Sequence, residues 1–268
     1  GSSVKPFVWA AAIASGMTPS SIVVDEPFER LDGAGNVWRP KNFDAGYHGP
    51  MTIRAALEKS VNIVSIKLAE QVGVPLVRSY LQRCGITTPI DDAVGLTIAL
   101  GTPEVKVIDQ CVAYSTLANN GVRYDPVMVT EIKNRDGITR YDYRNNVHRE
   151  QAIDPKVAYV INHLLQGVCA PGGGYYPTGH RASALGRPVG GKTGTTNSSR
   201  NTWFCGFTAD YTCVVWLGYR DNRSLGKGAD YTGGRLACPI WTEFMLKAEE
   251  GLPIRDFDVP NGIEFFNR

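Results

Sequence analysis

The sequence predicts an α+β fold on three observations. Helical periodicity dominates the first half of the chain, the strongest β signal comes late, and one further helix follows it. At 268 residues the chain can bury a sizeable core, in one large domain or two small ones. Residues 2–15 (SSVKPFVWAAAIAS) read as a helix that Ser2 or Ser3 can cap, with Pro6 tolerable in its first turn. Residues 18–50 are rich in Pro, Gly, Asp and Asn and read as loop with short strands. From Met51 the pattern is helical again: TIRAALEKS, then NIVSIKLAEQVG with Gly73 as a stop, then VPLVRSYLQRCG ending at Gly85.

A further helix over about 104–119 closes on Asn119, Asn120 and Gly121. YDPVMVTEIKNRDGITRYDY alternates like a hairpin turning at Asp136-Gly137. Residues 154–168 read as a helix, followed by the glycine-rich loop APGGGYYPTGH and a strand over about 188–196. WFCGFTADYTCVVWLGY then gives two runs of aromatic and β-branched residues around an Ala209-Asp210 turn. A last helix over about 232–249 ends before Gly251 and Pro253. There is no internal repeat and no low-complexity linker.

Composition narrows the function classes. Apolar residues are 43% and charged residues 20%, ordinary for a soluble globular protein. Lys plus Arg is 28 against 26 acids, with no basic run, so nucleic acid is not an expected partner. The longest apolar run, Phe7 to Met17, is too short to span a bilayer. The six cysteines form no C-x-x-C pair, and several lie in apolar stretches, so they read as buried thiols rather than a disulfide framework. The four histidines are scattered without metal-ligand spacing, and neither metal nor cofactor is expected.

One stretch, GRPVGGKTGTTN, satisfies two unrelated motifs. Gly186 to Thr193 matches G-x-x-x-x-G-K-[ST], a phosphate-binding loop that works only between a buried strand and a helix N-terminus. Here the entry is HRASALGRP and the exit GTTNSSRNT, a poor helix former, so the nucleotide reading fails on both sides. The other reading takes Lys192-Thr193-Gly194 as a K-T-G on an edge strand. There Gly194 admits a substrate backbone, Thr193 and Thr195 offer hydroxyls, and Lys192 meets an anionic substrate end.

K-T-G acts together with S-x-x-K and S-x-N. S-x-x-K occurs at Ser2–Lys5 and at Ser224–Lys227, and S-x-N at Ser60–Asn62 and at Ser199–Asn201. Context separates them. Ser2 and Lys5 open an apolar helix, where serine and lysine share a face and an amide can point at a reacting oxygen. Ser224 and Lys227 lie in the loop RDNRSLGKGAD, and Ser199 follows the K-T-G too closely to form a separate wall of a cleft. Ser60 joins two helical segments, where capping side chains are the structural alternative. The surviving trio runs Ser2, Ser60, Lys192.

On these motifs the sequence resembles the transpeptidase domain of class A, bifunctional penicillin-binding proteins. GSSVKPF resembles the family's nucleophile segment, WRPKNFDAGYHGPMTIRAALEKSVN its approach to S-x-N, and GRPVGGKTGTTN with WFCGFT its K-T-G strand and the next one. RLACPIWTEFM and GLPIRDFDVP resemble its C-terminal helix and tail, so the likeness covers nearly the whole chain. One departure is Asn201, where the family leads us to expect an acid.

The resemblance implies a β-lactamase/transpeptidase-like fold, an antiparallel sheet flanked by helices with an all-helical subdomain. In that family two sheet strands, a glycosyltransferase domain and a membrane anchor precede the nucleophile. Residues 1–268 are therefore expected to be the C-terminal portion of the domain, lacking the N-terminal strands, with a sheet edge and apolar helix faces left uncovered. The expected location is extracytoplasmic, on the periplasmic side of the inner membrane, anchored by a segment outside this chain. The expected partners are peptidoglycan stem peptides, β-lactam antibiotics and the upstream part of the same protein.

The implied chemistry is acyl transfer. Ser2 attacks between two terminal D-alanines, Lys5 is the base, Ser60 relays the proton, Asn62 holds the substrate amide, and the amides of Ser2 and Thr195 form the oxyanion hole. An exposed lysine titrates near 10.4, so a neutral Lys5 at pH 7 requires about 4 kcal/mol against its charged form. A helix N-terminus supplies about 0.3–1 kcal/mol, and burial and Lys192 must supply the rest. A D,D-carboxypeptidase would use the same residues with water as acceptor. A serine β-lactamase would need a carboxylate for deacylation, and no loop offers a recognisable one. Intact Ser2, Lys5, Ser60 and Lys192 argue against a catalytically silent binding domain.

Overall fold

A helix that is apolar on every side must be buried on every side, and the first helix is. In the computed structural model, which describes residues 1–31, 35–170 and 177–265, α1 (Lys5–Ala14) is fully buried from Lys5 to Ala12. A single 3₁₀ turn, Ser2–Val4, leads into it. Neither Ser2 nor Ser3 caps α1 through its side chain, against the sequence expectation. The backbone closes the turn instead, the Val4 N–H bonding the Gly1 carbonyl at 3.2 Å, and Pro6 falls in the first helical turn, where its missing N–H costs nothing.

Around α1 pack α2 (Ile53–Glu58), α3 (Asn62–Val72), α4 (Val74–Arg83), α5 (Val107–Ala118) and α6 (Pro155–Cys169). Four two-stranded antiparallel ribbons decorate this helical body. They are β1 (Ile22–Asp25) with β4 (Gly49–Thr52), β2 (Arg30–Leu31) with β3 (Val37–Trp38), β5 (Val122–Tyr124) with β8 (Arg149–Gln151), and β6 (Glu131–Lys133) with β7 (Thr139–Asp142). Met51 therefore belongs to a strand, not to the helix its pattern suggested. The chain turns helical only at Ile53, once Thr52 Oγ1 has accepted the Ala55 N–H at 3.2 Å. The hairpin expected around Asp136-Gly137 forms, with Gly137 at φ 78°.

The main sheet is antiparallel, in the order β11-β10-β9, built from β9 (Gly190–Thr195), β10 (Asn201–Phe207) and β11 (Thr212–Gly218). Period-two alternation splits it between two cores. Trp203, Cys205 and Phe207 join the helical core, whereas Phe204 turns to the opposite face and meets Trp241 of α7 (Ala237–Ala248), ring centroids 5.1 Å apart. Gly206 makes room there, since a Cβ would lie 2.9 Å from the Trp241 ring. The last helix starts at Ala237 rather than near 232, because residues 228–236 form a 3₁₀ turn and a Gly233-Gly234 corner laid against β9.

All six cysteines are free thiols, and burial pushes Cys84 and Cys238 up to about 12. The expected glycine-rich loop falls largely on 171–176, outside the described residues. Among the described residues β11 has no strand on its outer edge, Ile240 and Phe244 of α7 are exposed, and no helix is long and apolar enough to cross a membrane.

Candidate active site

The two lysines singled out from the sequence are both fully buried, and both reach Ser60. Ser60 sits at the corner between α2 and α3 with φ 59°, a left-handed conformation that costs a non-glycine residue of order 1 kcal/mol. That twist turns both its carbonyl and its hydroxyl toward the same space. Lys5 Nζ donates to the Ser60 carbonyl at 2.6 Å and to Asn62 Oδ1 at 2.8 Å, and lies 3.3 Å from Ser60 Oγ. From the other side Lys192 Nζ donates to Ser60 Oγ at 2.8 Å and to the Thr193 carbonyl at 3.2 Å.

Two ammonium groups cannot share one hydroxyl in a dry pocket at ordinary lysine pKa values. Burial first, and the Lys192 charge second, hold Lys5 well below the usual lysine range. Burial pushes Lys192 down to about 7. A neutral Lys5 has two N–H groups, which the Ser60 carbonyl and Asn62 Oδ1 take up, and its lone pair is left for a proton.

Ser2 is half-buried on the turn before Lys5, and among the described residues its hydroxyl makes no hydrogen bond to a protein group. The structure thus joins Lys5, Ser60, Asn62 and Lys192 in one network, with Ser2 beside that network rather than bonded into it. The Ser2 turn is pressed onto β9. A Cβ on Gly194 would lie 3.4 Å from the backbone nitrogen of Ser3, and one on Gly1 would lie 3.2 Å from the Thr195 carbonyl oxygen. On its Cβ side Gly194 is covered by protein, and its missing side chain chiefly spares Trp203, whose Cβ would lie 3.0 Å away.

On the other face Gly233 closes in, and a Cβ there would come within 2.6 Å of the Gly194 carbonyl oxygen. The Gly233 N–H donates to Thr195 Oγ1 at 3.0 Å, so that hydroxyl is already used as an acceptor. Thr193 is buried on the same strand. The Thr196 N–H bonds the Asn201 carbonyl at 3.0 Å, and in an antiparallel ladder the bonding direction alternates. The Thr195 N–H, one residue earlier, therefore points away from β10 toward the free edge of β9.

Other residues hold the site and escaped the sequence reading. Tyr114 of α5, fully buried, donates its hydroxyl to the Ser3 carbonyl at 2.7 Å and pins the Ser2–Val4 turn. Asn42 and Asp25 lie behind the α2–α3 corner. Gly233-Gly234 had a signal in the bare dipeptide before a helix; Tyr114, Asn42 and Asp25 had none in local pattern. The alternative motifs stay apart from the cluster. Ser224 and Lys227 are on an exposed loop, Ser199 lies in the turn after β9, and no helix follows Lys192 to cradle phosphate.

The family described as penicillin binding protein transpeptidase domain matches residues 1–246. Penicillin-binding protein 1A of Neisseria lactamica is 38% identical over 270 residues, covering 98% of this chain and 33% of that protein. The Vibrio cholerae penicillin-binding protein 1A is 33% identical, over 98% of this chain and 37% of its own length. The chain thus spans about a third of the curated relatives it matches. The crystal structure of penicillin-binding protein 1A from Haemophilus influenzae superposes with a TM-score of 0.88 at 28% identity, over 97% of this chain and 43% of that one. PonA1 of Mycobacterium tuberculosis in complex with penicillin V shares the fold, with a TM-score of 0.81 at 23% identity over 98% of this chain and 72% of its own.

Proposed function

Because the chain belongs to the penicillin-binding protein transpeptidase family, we propose that it carries the acyl-transfer site of a serine D,D-transpeptidase that cross-links peptidoglycan stem peptides. The observation that carries this reading is the convergence of two buried lysines on Ser60, with Ser2 on the turn before Lys5 and its hydroxyl unbonded among the described residues. Ser2 Oγ adds to the carbonyl carbon between two terminal D-alanines, and its proton goes to the Lys5 lone pair. The tetrahedral oxyanion lies between the amides of Ser2 and Thr195, a contribution of about 3 kcal/mol in comparable sites.

Collapse breaks the peptide C–N bond. The leaving amine takes a proton relayed from Lys5 through Ser60, and an ester to Ser2 remains. An acceptor amine from a neighbouring stem peptide then attacks that ester, and the proton path runs in reverse. Lys192, with Thr193 and the Gly194 backbone, faces the carboxylate end of the donor peptide. A β-lactam opens on the same serine, its ring amide standing in for the D-alanyl bond. The site works outside the cytoplasmic membrane, held there by parts of the protein beyond this chain.

The test is intact-mass measurement after incubation with benzylpenicillin. The expected result is one covalent adduct on the wild-type protein and none on Ser2→Ala. Folded wild-type protein without an adduct, or an adduct that survives Ser2→Ala, would refute the assignment.

A further inference from the structure

Helix α3 begins with an unmet need. Its N-cap residue is Val61, whose side chain cannot accept a hydrogen bond, and no side-chain cap forms from within the local sequence. The cap comes from twenty residues upstream. Asn42 Oδ1 accepts the N–H of Asn62 at 2.9 Å and that of Ile63 at 3.2 Å. Asn42 is buried among exposed neighbours, Lys41, Phe43, Asp44 and Ala45. The next residue back completes the grip, the Lys41 carbonyl accepting from Asn62 Nδ2 at 2.9 Å. With its nitrogen held there, the Asn62 amide must present Oδ1 to Lys5 Nζ, 2.8 Å away.

Asn42 is itself oriented by a buried charge. Asp25, fully buried at the end of β1, accepts from Asn42 Nδ2 with both carboxylate oxygens at 2.9 Å. The same carboxylate accepts the His48 N–H at 2.9 Å and lies 2.7 Å from His48 Nδ1, and Asn42 Nδ2 also donates to the Gly46 carbonyl at 2.8 Å. An acceptor-only group on one side and two N–H donors on the other leave the Asn42 amide a single orientation.

We propose that Asn42, oriented by Asp25, is a positioning residue for acylation: a remote cap that fixes the start of α3 and, through Asn62, the place of Lys5. The proposal rests on the transpeptidase reading above. It assigns no chemistry to Asn42, which touches neither Ser2 nor the reacting atoms. Its effect falls mainly on the bond-making step, through Lys5, and reaches capture of the donor only through the hold of Asn62 on the substrate amide.

The experiment separates the first-order acylation constant from the non-covalent affinity for benzylpenicillin in four proteins. These are wild type, Asn42→Ala, Asp25→Asn and the exchange Asp25→Asn/Asn42→Asp. The exchange keeps both N–H caps, the His48 contacts and one Asn–Asp bond, and loses the second Asn–Asp bond and the bond to the Gly46 carbonyl. Amide hydrogen exchange at Asn62 and Ile63 is followed in parallel by NMR. The expected result is a 10- to 100-fold slower acylation step in Asn42→Ala, a smaller loss in Asp25→Asn, a loss of affinity smaller than the loss of rate, and partial recovery in the exchange. The Asn62 and Ile63 amides should exchange faster in Asn42→Ala and regain protection in the exchange.

Single variants that acylate at the wild-type rate would overturn the proposal, as would slow acylation in Asn42→Ala with the Asn62 and Ile63 amides as protected as in wild type. If Asn42→Ala does not fold, the isosteric Asp25→Asn decides, and a wild-type rate there overturns it. Wild-type protein that takes no adduct would instead defeat the transpeptidase reading, and the positioning role with it, an outcome distinct from equal rates in all four proteins.

Discussion

The two walls of the candidate site are built on opposite physical terms. The helical wall, where α1 meets the α2–α3 corner, is made of polar groups held by hydrogen bonds: buried Lys5, half-buried Ser60 and Asn62 and, behind them, buried Asn42 and Asp25. The sheet wall is made of close approach. A Cβ on Gly194 would lie 3.0 Å from Trp203 Cβ, and one on Gly233 would meet two backbone carbonyl oxygens. One wall is therefore sensitive to charge and protonation, the other to volume, and substitutions should distinguish them.

The largest effect should come from removing the base. Lys5→Met should slow acylation by benzylpenicillin by about 10²–10⁴-fold while leaving the fold intact, read by stopped-flow or timed mass spectrometry. On the sheet wall, Gly233→Ala should act through stability. Its Cβ would meet the Trp203 carbonyl oxygen at 2.3 Å and the Gly194 carbonyl oxygen at 2.6 Å, both backbone atoms that cannot swing away. A loss of about 1–3 kcal/mol in urea denaturation is expected, with Thr195 displaced because its hydroxyl bonds the Gly233 N–H. An unchanged stability in that variant would show the strand to be softer than the contrast requires.

The next effect belongs to Lys192, which the sheet wall sends into the polar network of the helical wall, and it is read as stability. In the unfolded chain Lys192 keeps its proton to about pH 10.4, whereas folding lets it go near 7. Below pH 7 both states hold the proton, and this residue gives no slope. Above pH 7 the unfolded state holds more protons, so stability rises with pH. Lys5, also lowered by burial and by the Lys192 charge, contributes in the same direction. Toward pH 9 the buried thiols, whose deprotonation burial opposes, begin to reverse the slope. Between pH 7 and 9, Lys192→Met should therefore show a slope shallower than wild type by about 1.4 kcal/mol per pH unit.

The smallest effect is expected at Asn201, the position where an acid was anticipated. Its Oδ1 accepts from Trp216 Nε1 at 2.9 Å, a bond an aspartate can keep. Asn201→Asp should change stability by less than about 0.5 kcal/mol and acylation by no more than about 2-fold. A larger change would mean that this end of the sheet wall reads charge as well as shape.

Much of this was legible in the sequence, and the reasons differ by residue. The motif residues that the structure joins, Lys5, Ser60, Asn62 and Lys192, were readable because each stands in a setting the chain marks locally: a helix start, a helix corner, a strand. The strands β10 and β11 were readable because WFCGF and TCVVW alternate between two cores. Met51 misled because a short strand running straight into a helix carries the helix's apolar pattern. The close neighbour of Gly194 was not readable, since nothing local to K-T-G shows that Trp203 Cβ approaches it. Asn42 and Asp25 were unreadable for the same cause: their partners are twenty or so residues away, and no periodicity encodes a hydrogen bond between loops.

The loop from Arg39 to His48 consequently behaves unlike its composition. Surface loops rich in Asn, Asp and Gly ordinarily accept added or deleted residues. This one has Lys41, Asn42, Gly46 and His48 each tied to a fixed partner, so its length is as constrained as that of a core helix. Grafts and tags belong in the exposed 134–138 hairpin tip, and a single residue inserted between Arg39 and His48 would move the catalytic corner without touching a catalytic residue.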